Sequence, residues 1–173
     1  NKQLNATNSN SVNTSSLYGL ITNDGSITIN NGSLVNKGKL NNNVTVGIIT
    51  NNSTLTNDSL ITNYGSITNN NIFTNDNMID NKYGAIITNY KNLNNNKIID
   101  VFGKLDNKIN GALVGQINNN NLIEIKKSGT DYGELNNYSS IVNDSLLLNQ
   151  SKFKVFKTGA ITNNRTITNN NTF

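Results

Sequence analysis

The sequence predicts an all-β chain wound as a parallel β-solenoid, triangular in section, with three short strands and about 18 residues in each coil. Three observations carry this. An aliphatic or aromatic apolar residue returns at six-residue intervals, as in Ile49, Leu55, Ile61, Ile67, Phe73 and Ile79. Two places after it stands Asn, in eighteen of the 22 repeats long enough to have that place. Gly47, Gly65, Gly84 and Gly103 are spaced 18, 19 and 19 residues apart, and the last three each follow an aromatic residue, Tyr64, Tyr83 and Phe102.

The register decides against disorder. Asn fills 42 of the 173 positions, hydrophobic residues make up 34%, and Pro, Cys, Trp and His are absent, a composition that alone reads as a prion-like disordered segment. The same composition argues against ordinary α/β folds, helix bundles and disulfide frameworks. A disordered chain has no reason to hold one apolar position in phase from Ile21 onward.

Each six-residue unit justifies one strand and one corner. Six is even, so in an extended chain the third place returns to the same side in every unit, with places one and five beside it and places two and four outside. The corner falls at places five, six and one, where Asn23-Asp24-Gly25, Asn36-Lys37-Gly38 and Asn63-Tyr64-Gly65 supply residues that tolerate a left-handed backbone. Three units then close a coil whose equivalent places stack at about 4.8 Å. Two-sided coils of twelve residues are the alternative. Residues 19–173 make eight or nine coils, a rod roughly 40 Å long. Residues 1–18 lack the register and are expected to form a cap, a cover or a lead from a preceding region. The Asn file has two structural uses, bending the corner and hydrogen-bonding from coil to coil through its amides.

The [Ile/Leu]-Thr-Asn-x-[Gly/Ser/Asn]-x unit resembles the hexapeptide repeat of left-handed parallel β-helices, and also the Asn-rich repeat arrays of microbial and viral surface proteins. The resemblance covers residues 19–173 and implies a left-handed coil. Many hexapeptide-repeat proteins are acyltransferases with a catalytic His, and no His is present to carry that activity over.

For function the sequence speaks first by what it lacks. Without His or Cys, a phosphate loop or a paired-carboxylate signature, no catalytic residue, cofactor or metal site is expected, and the chain reads as a non-enzyme. Asp80 and Asp100 fall at equivalent places on neighbouring coils, which suits a tolerated surface pair better than an acid–base pair. The net charge of +4 is scattered, with Lys126-Lys127 the longest basic run, so nucleic acid is not an expected partner. No apolar stretch approaches twenty residues, so no membrane span is expected, and any export signal is expected to have been removed.

The leading expectation is a structural protein outside the cell, on a cell or virion surface, forming a subunit or segment of a filament by solenoid stacking. Self-association is placed at Phe173, which stands at a core-facing place of an unfinished coil, and at Leu4, Val12 and Leu17 of the irregular segment. Leu60, Met78 and Ile98 at the outward second place, with Tyr64, Tyr83 and Phe102 at the corner, form a candidate partner surface, and Tyr138 and Phe156 are grouped with the same corner. Lys126, Lys127, Asp131, Tyr132 and Glu134 form a polar cluster suited to a cell-surface glycan or an ion. These features support an alternative, a glycan-binding adhesin or tailspike-like module. Outward Thr at the fourth place (Thr50, Thr56, Thr62, Thr68, Thr74, Thr88, Thr162, Thr168) supports a second alternative, an ice-binding surface, with full Thr-x-Thr rows only at Thr54-Thr56 and Thr166-Thr168.

Overall fold

The computed structural model describes residues 4–6, 9–43 and 46–171, with side chains from Ser16 onward. Among the described residues every regular element is a strand. Most strands are four residues long with an alternating burial pattern, as the six-residue unit requires. The strands pair in parallel with the strand one coil away, so that Leu55, Phe73 and Leu93 stack in one file, Ile61, Ile79 and Ile99 in a second, and Ile67, Ile87 and Leu105 in a third. This is a β-solenoid of about eight turns, with roughly 18–20 residues in a regular coil.

Three faces follow from the pairing. The first face carries nine strands, among them Leu60–Asn63, Met78–Asn81 and Ile98–Val101. The second holds Ser66–Asn69, Ile86–Asn89 and Lys104–Asn107, and the third holds Thr54–Asn57, Ile72–Asn75 and Asn92–Asn95. One long strand, Ser26–Asn36, turns the corner and pairs on both the second and third faces. Leu4–Ala6 and Ser9–Leu17, within the stretch without register, add strands below the coil that starts at Leu20. There Asn10 and Ser15 pair with Ile27 and Leu34, so polar residues take register positions that are apolar in the next coil.

Most four-residue strands give the core one apolar side chain, while Ile98–Val101 and Leu122–Ile125 give two and Ser26–Asn36 gives three. Ile21, Leu34, Ile49, Ile67, Phe73, Leu105, Ile123 and Leu147 are all fully buried. The corners are filled by Asn. In one of them Asn36, Asn57, Asn75, Asn95, Asn119 and Asn143 are fully buried, and each donates its Nδ2 to the Oδ1 of the Asn one coil further on, at 2.7–2.8 Å, ending at Asn163. A second ladder runs Asn51, Asn69, Asn89, Asn107, Asn137, and a third runs Asn23, Asn42, Asn63, Asn81. The spare donor goes to backbone carbonyls, as from Asn95 to Leu122 at 2.8 Å, and the Oδ1 of Asn51 and Asn137 accepts the N–H two residues on. These amides are therefore satisfied on both sides, which is what makes their burial tolerable.

The third ladder is interrupted by Val101 and Ile125, which are both fully buried and stack on one another. An apolar pair replacing an Asn pair strands little polar surface. Gly19 has the positive φ expected of a bend, at 94°, but at most other first places glycine serves a different need. Gly38 and Gly65 are not in the positive-φ region, but a Cβ on Gly65 would collide with the carbonyl of Gly47 one coil below. Close approach between coils, rather than backbone hand, excludes larger residues there.

Two substitutions separate core from surface. Ile67→Asp puts a charge into a core one side chain thick and is expected to cost at least about 3 kcal/mol, whereas Thr68→Ser on the outer face should change stability by less than about 0.5 kcal/mol. Chemical denaturation followed by circular dichroism measures both. Asn95→Asp removes the donors that reach Asn119 and Leu122 while burying a carboxylate, and should destabilise by about 3 kcal/mol or more in the same assay.

Candidate functional site

The candidate partner surface divides into two features, an apolar file and an aromatic corner. On the first face Leu60, Met78 and Ile98 stack in register, and Leu122 and Leu146 continue the file over two more coils. The last two escaped sequence reading because hairpin insertions push them away from the 18–19 residue marks. All five are half-buried. Beside this file, at the fourth place of the same strands, run Asp80, Asp100 and Glu124. The acidic file separates the apolar file from the aromatic corner.

The acids are paired with lysines, Asp80 and Glu124 within their own coils and Asp100 with a lysine one coil on. Lys82 meets Asp80 at 2.5 Å, and Lys126 meets Asp100 at 2.8 Å and Glu124 at 3.3 Å. Gln150 donates to Glu124 at 2.6 Å. Burial pulls the Lys126 ammonium down, but the hydrogen bond and charge of Asp100, followed by those of Glu124, outweigh it and leave the group above its ordinary 10.5. Asp80 and Asp100 do stand on equivalent places, each held by its own lysine. Among the described residues no group of three or more His, Cys, Asp or Glu is arranged to hold a metal ion.

Tyr64, Tyr83 and Phe102 lie in successive coils at the corner between the first and second faces. Tyr138 and Phe156 instead occupy the corner between the second and third faces, where their rings stack at 3.9 Å and 10°. Tyr83 is the one-residue insertion in its coil. Gly84 beside it has φ of 77°, a conformation open to Gly at no steric cost, and Tyr83 projects with 65% of its surface exposed. One coil past Phe102 the same corner carries a small hairpin, Lys127–Ser128 paired with Asp131–Tyr132 around Gly129. A second hairpin, Ile109–Asn110 with Leu113–Val114, opens at the next corner.

The polar cluster and the aromatic marks, which are separate features in the sequence, thus share a corner. Lys82 and Lys126 place their ammonium groups 5.6 and 5.4 Å from the Phe102 ring centre, and Lys127 and Lys152 both lie 4.7 Å from that of Tyr132. These are cation–π distances. Glu134 accepts from Lys152 at 3.4 Å and lies 3.9 Å from Lys154. Burial raises its carboxyl, but the hydrogen bond from Asn136 and the charges of Lys154 and Lys152 overcome this and hold it below its ordinary 4.5. Along the corner run three adjoining concavities. The largest of them, about 430 Å³, is lined by Ile48, Tyr64, Ser66, Tyr83 and Ile86, and Tyr83 contributes to all three.

Outward Thr divides among the faces. Thr28, Thr50, Thr68 and Thr88 form one file on the second face. The Thr54-Thr56 row lies on the third face and the Thr166-Thr168 row on the first, so the two complete rows do not join into one array. Of the residues singled out for self-association, Leu17 is buried in the core, and Leu4 and Val12 lie in strands that pair with Ile21 and Ile29. Phe173 lies outside the described residues.

No protein-family model, no curated protein and no solved structure matches the chain.

The ionic network gives a pH signature. Because the folded value of Glu134 is lowered, its stabilising contribution is present above the ordinary 4.5 and is lost as pH falls through the lower folded value. Thermal melts between pH 2 and 6 should show Glu134→Gln losing part of that acid limb. Lys126 has the opposite sign: its contribution is present below 10.5 and lost as pH rises through the raised folded value, so Lys126→Met should flatten the alkaline limb.

Proposed function

We propose that this chain is a structural module, a rod segment of an extracellular or virion-surface fibre that grows by adding coil upon coil, and that it has no catalytic role. The observation that carries the reading is the polarity of the Asn ladders. Every amide in them donates toward the C-terminal end, so the two ends of the rod are chemically different. At that end Ile161 and Ile167 pack only partly against the core, Asn163 and Asn169 are exposed, and the strands Lys152–Val155, Ala160–Asn163 and Thr166–Asn169 pair on one side only.

A following coil would bury both isoleucines and accept from the amides, whether it comes from further chain or from a second copy. Between copies the contact would be head to tail, because two C-terminal ends would set donor against donor. A head-to-tail contact does not close on itself and yields a filament. Unpaired strand edges favour such addition.

The non-catalytic reading is supported by the first face's acids, Asp80, Asp100 and Glu124, all being engaged by neighbouring lysines.

Negative-stain microscopy and size-exclusion chromatography of the purified chain test the reading. Straight rods many times longer than one solenoid are expected, and Ile167→Asp should reduce them to single units that still melt cooperatively. A species that remains monomeric at high concentration would contradict stacking between copies. Hydrolysis of a polysaccharide panel that disappears in Asp80→Asn would overturn the non-catalytic reading.

A further inference from the structure

We infer that the corner carrying Tyr64 and Tyr83 is a binding site for an uncharged, linear polysaccharide lying parallel to the rod axis. Tyr64 and Tyr83 are 40% and 65% exposed, and among the described residues no ammonium group caps either ring, unlike Phe102 and Tyr132. Between the two tyrosines and the second face lies the 430 Å³ groove, whose floor is Ile48, Ser66 and Ile86, stacked in register, with Gly47, Gly65 and Gly84 lining the bend. A sugar ring has an apolar C–H face and a polar rim. A flat exposed ring beside an aliphatic floor broken by a hydroxyl is complementary to it in both respects.

The coil geometry adds a length match. Successive coils rise by about 4.8 Å, close to the length that one hexose adds to an extended chain, so that each coil can meet one sugar. Beyond Tyr83 the concavity continues past Phe102 to Lys104, Tyr132 and Glu134, and a neighbouring one includes Ser128 and Asp131. Carboxylate, ammonium and hydroxyl groups there offer hydrogen bonds to the rim of further sugars.

Charge selects an uncharged chain over an acidic one. Four lysines around the groove have carboxylate partners, Lys82 with Asp80, Lys126 with Asp100 and Glu124, Lys104 with Asp106, and Lys152 with Glu134, and Lys127, over the Tyr132 ring, shares its hairpin with Asp131. Little uncompensated positive charge is left to attract a polyanion.

The test uses the full chain with cellohexaose, chitohexaose and xylohexaose as probes, a hyaluronan hexasaccharide as the acidic comparison and a proline-rich peptide as the comparison for a protein ligand. Isothermal titration should show binding to at least one uncharged hexasaccharide, about tenfold tighter than to its disaccharide and insensitive to salt. Tyr83→Ala should weaken it about tenfold with an unchanged melting temperature, Tyr83→Trp should retain it, and Tyr90→Ala, at another corner, should leave it intact. The proposal fails if no uncharged oligosaccharide binds at millimolar concentration, or if binding survives Tyr64→Ala and Tyr83→Ala together. It fails equally if only hyaluronan binds, or if the peptide binds and the sugars do not. Filament formation does not involve Tyr83, so rods formed by Tyr83→Ala distinguish loss of this site from failure of the structural reading.

Discussion

The buried asparagine ladder is the interaction on which the rest of this structure depends. A coil of three short strands has too little width for a conventional core, and most of its strands contribute a single apolar side chain to it. The corners must be filled by something small that also pairs with itself at the strand spacing. Asn does both, because its amide carries donor and acceptor and repeats at about 4.8 Å as the backbone does. In a low-dielectric corner such chains of hydrogen bonds reinforce one another, and a single unpaired amide is correspondingly costly. This explains how a chain with only 34% hydrophobic residues folds.

The ladder also gives the rod a direction. Nδ2 points one way along all three corners, in the sense set by the parallel strands. Where the ladder yields to Val101 and Ile125 it does so in two consecutive coils, which limits the mismatched contacts to those with Asn81 below and Asn149 above. Outside, a second tier of amides pairs coil to coil in the opposite sense, Asn70 donating to Asn52 and Asn120 to Asn96, at 2.8 Å in both cases. Exposed bonds of that kind compete with water and add little, so the inner ladders carry the stability.

Much of this was legible in the sequence because periodicity is local. The third-place apolar file and the fifth-place Asn reported the core and the corners directly, and the glycine–aromatic marks reported the three-strand coil. Relations between coils were harder to read. Leu122 and Leu146 belong to the file of Leu60 only after two hairpins, which stretch the interval from Leu105 to its partner Leu135, are discounted. Tyr138 fell in with Tyr64 by residue type yet sits one corner away, because a corner's identity depends on every insertion before it. The strands below Leu20 were hidden because Asn10 and Ser15 break the apolar pattern while their backbones keep the pairing. The meeting of the polar hairpin with the aromatic corner is likewise a property of stacking that no single repeat displays.

The claim that buried amide ladders bind coil to coil is tested most directly by hydrogen exchange at Asn side chains, followed by NMR. The Nδ2 protons of Asn57, Asn69, Asn75, Asn89 and Asn95 should exchange orders of magnitude more slowly than those of the half-buried Asn70 and Asn96 and the exposed Asn120, and should be released together on global unfolding. Side-chain amides that all exchange at the rate of free asparagine would contradict the account.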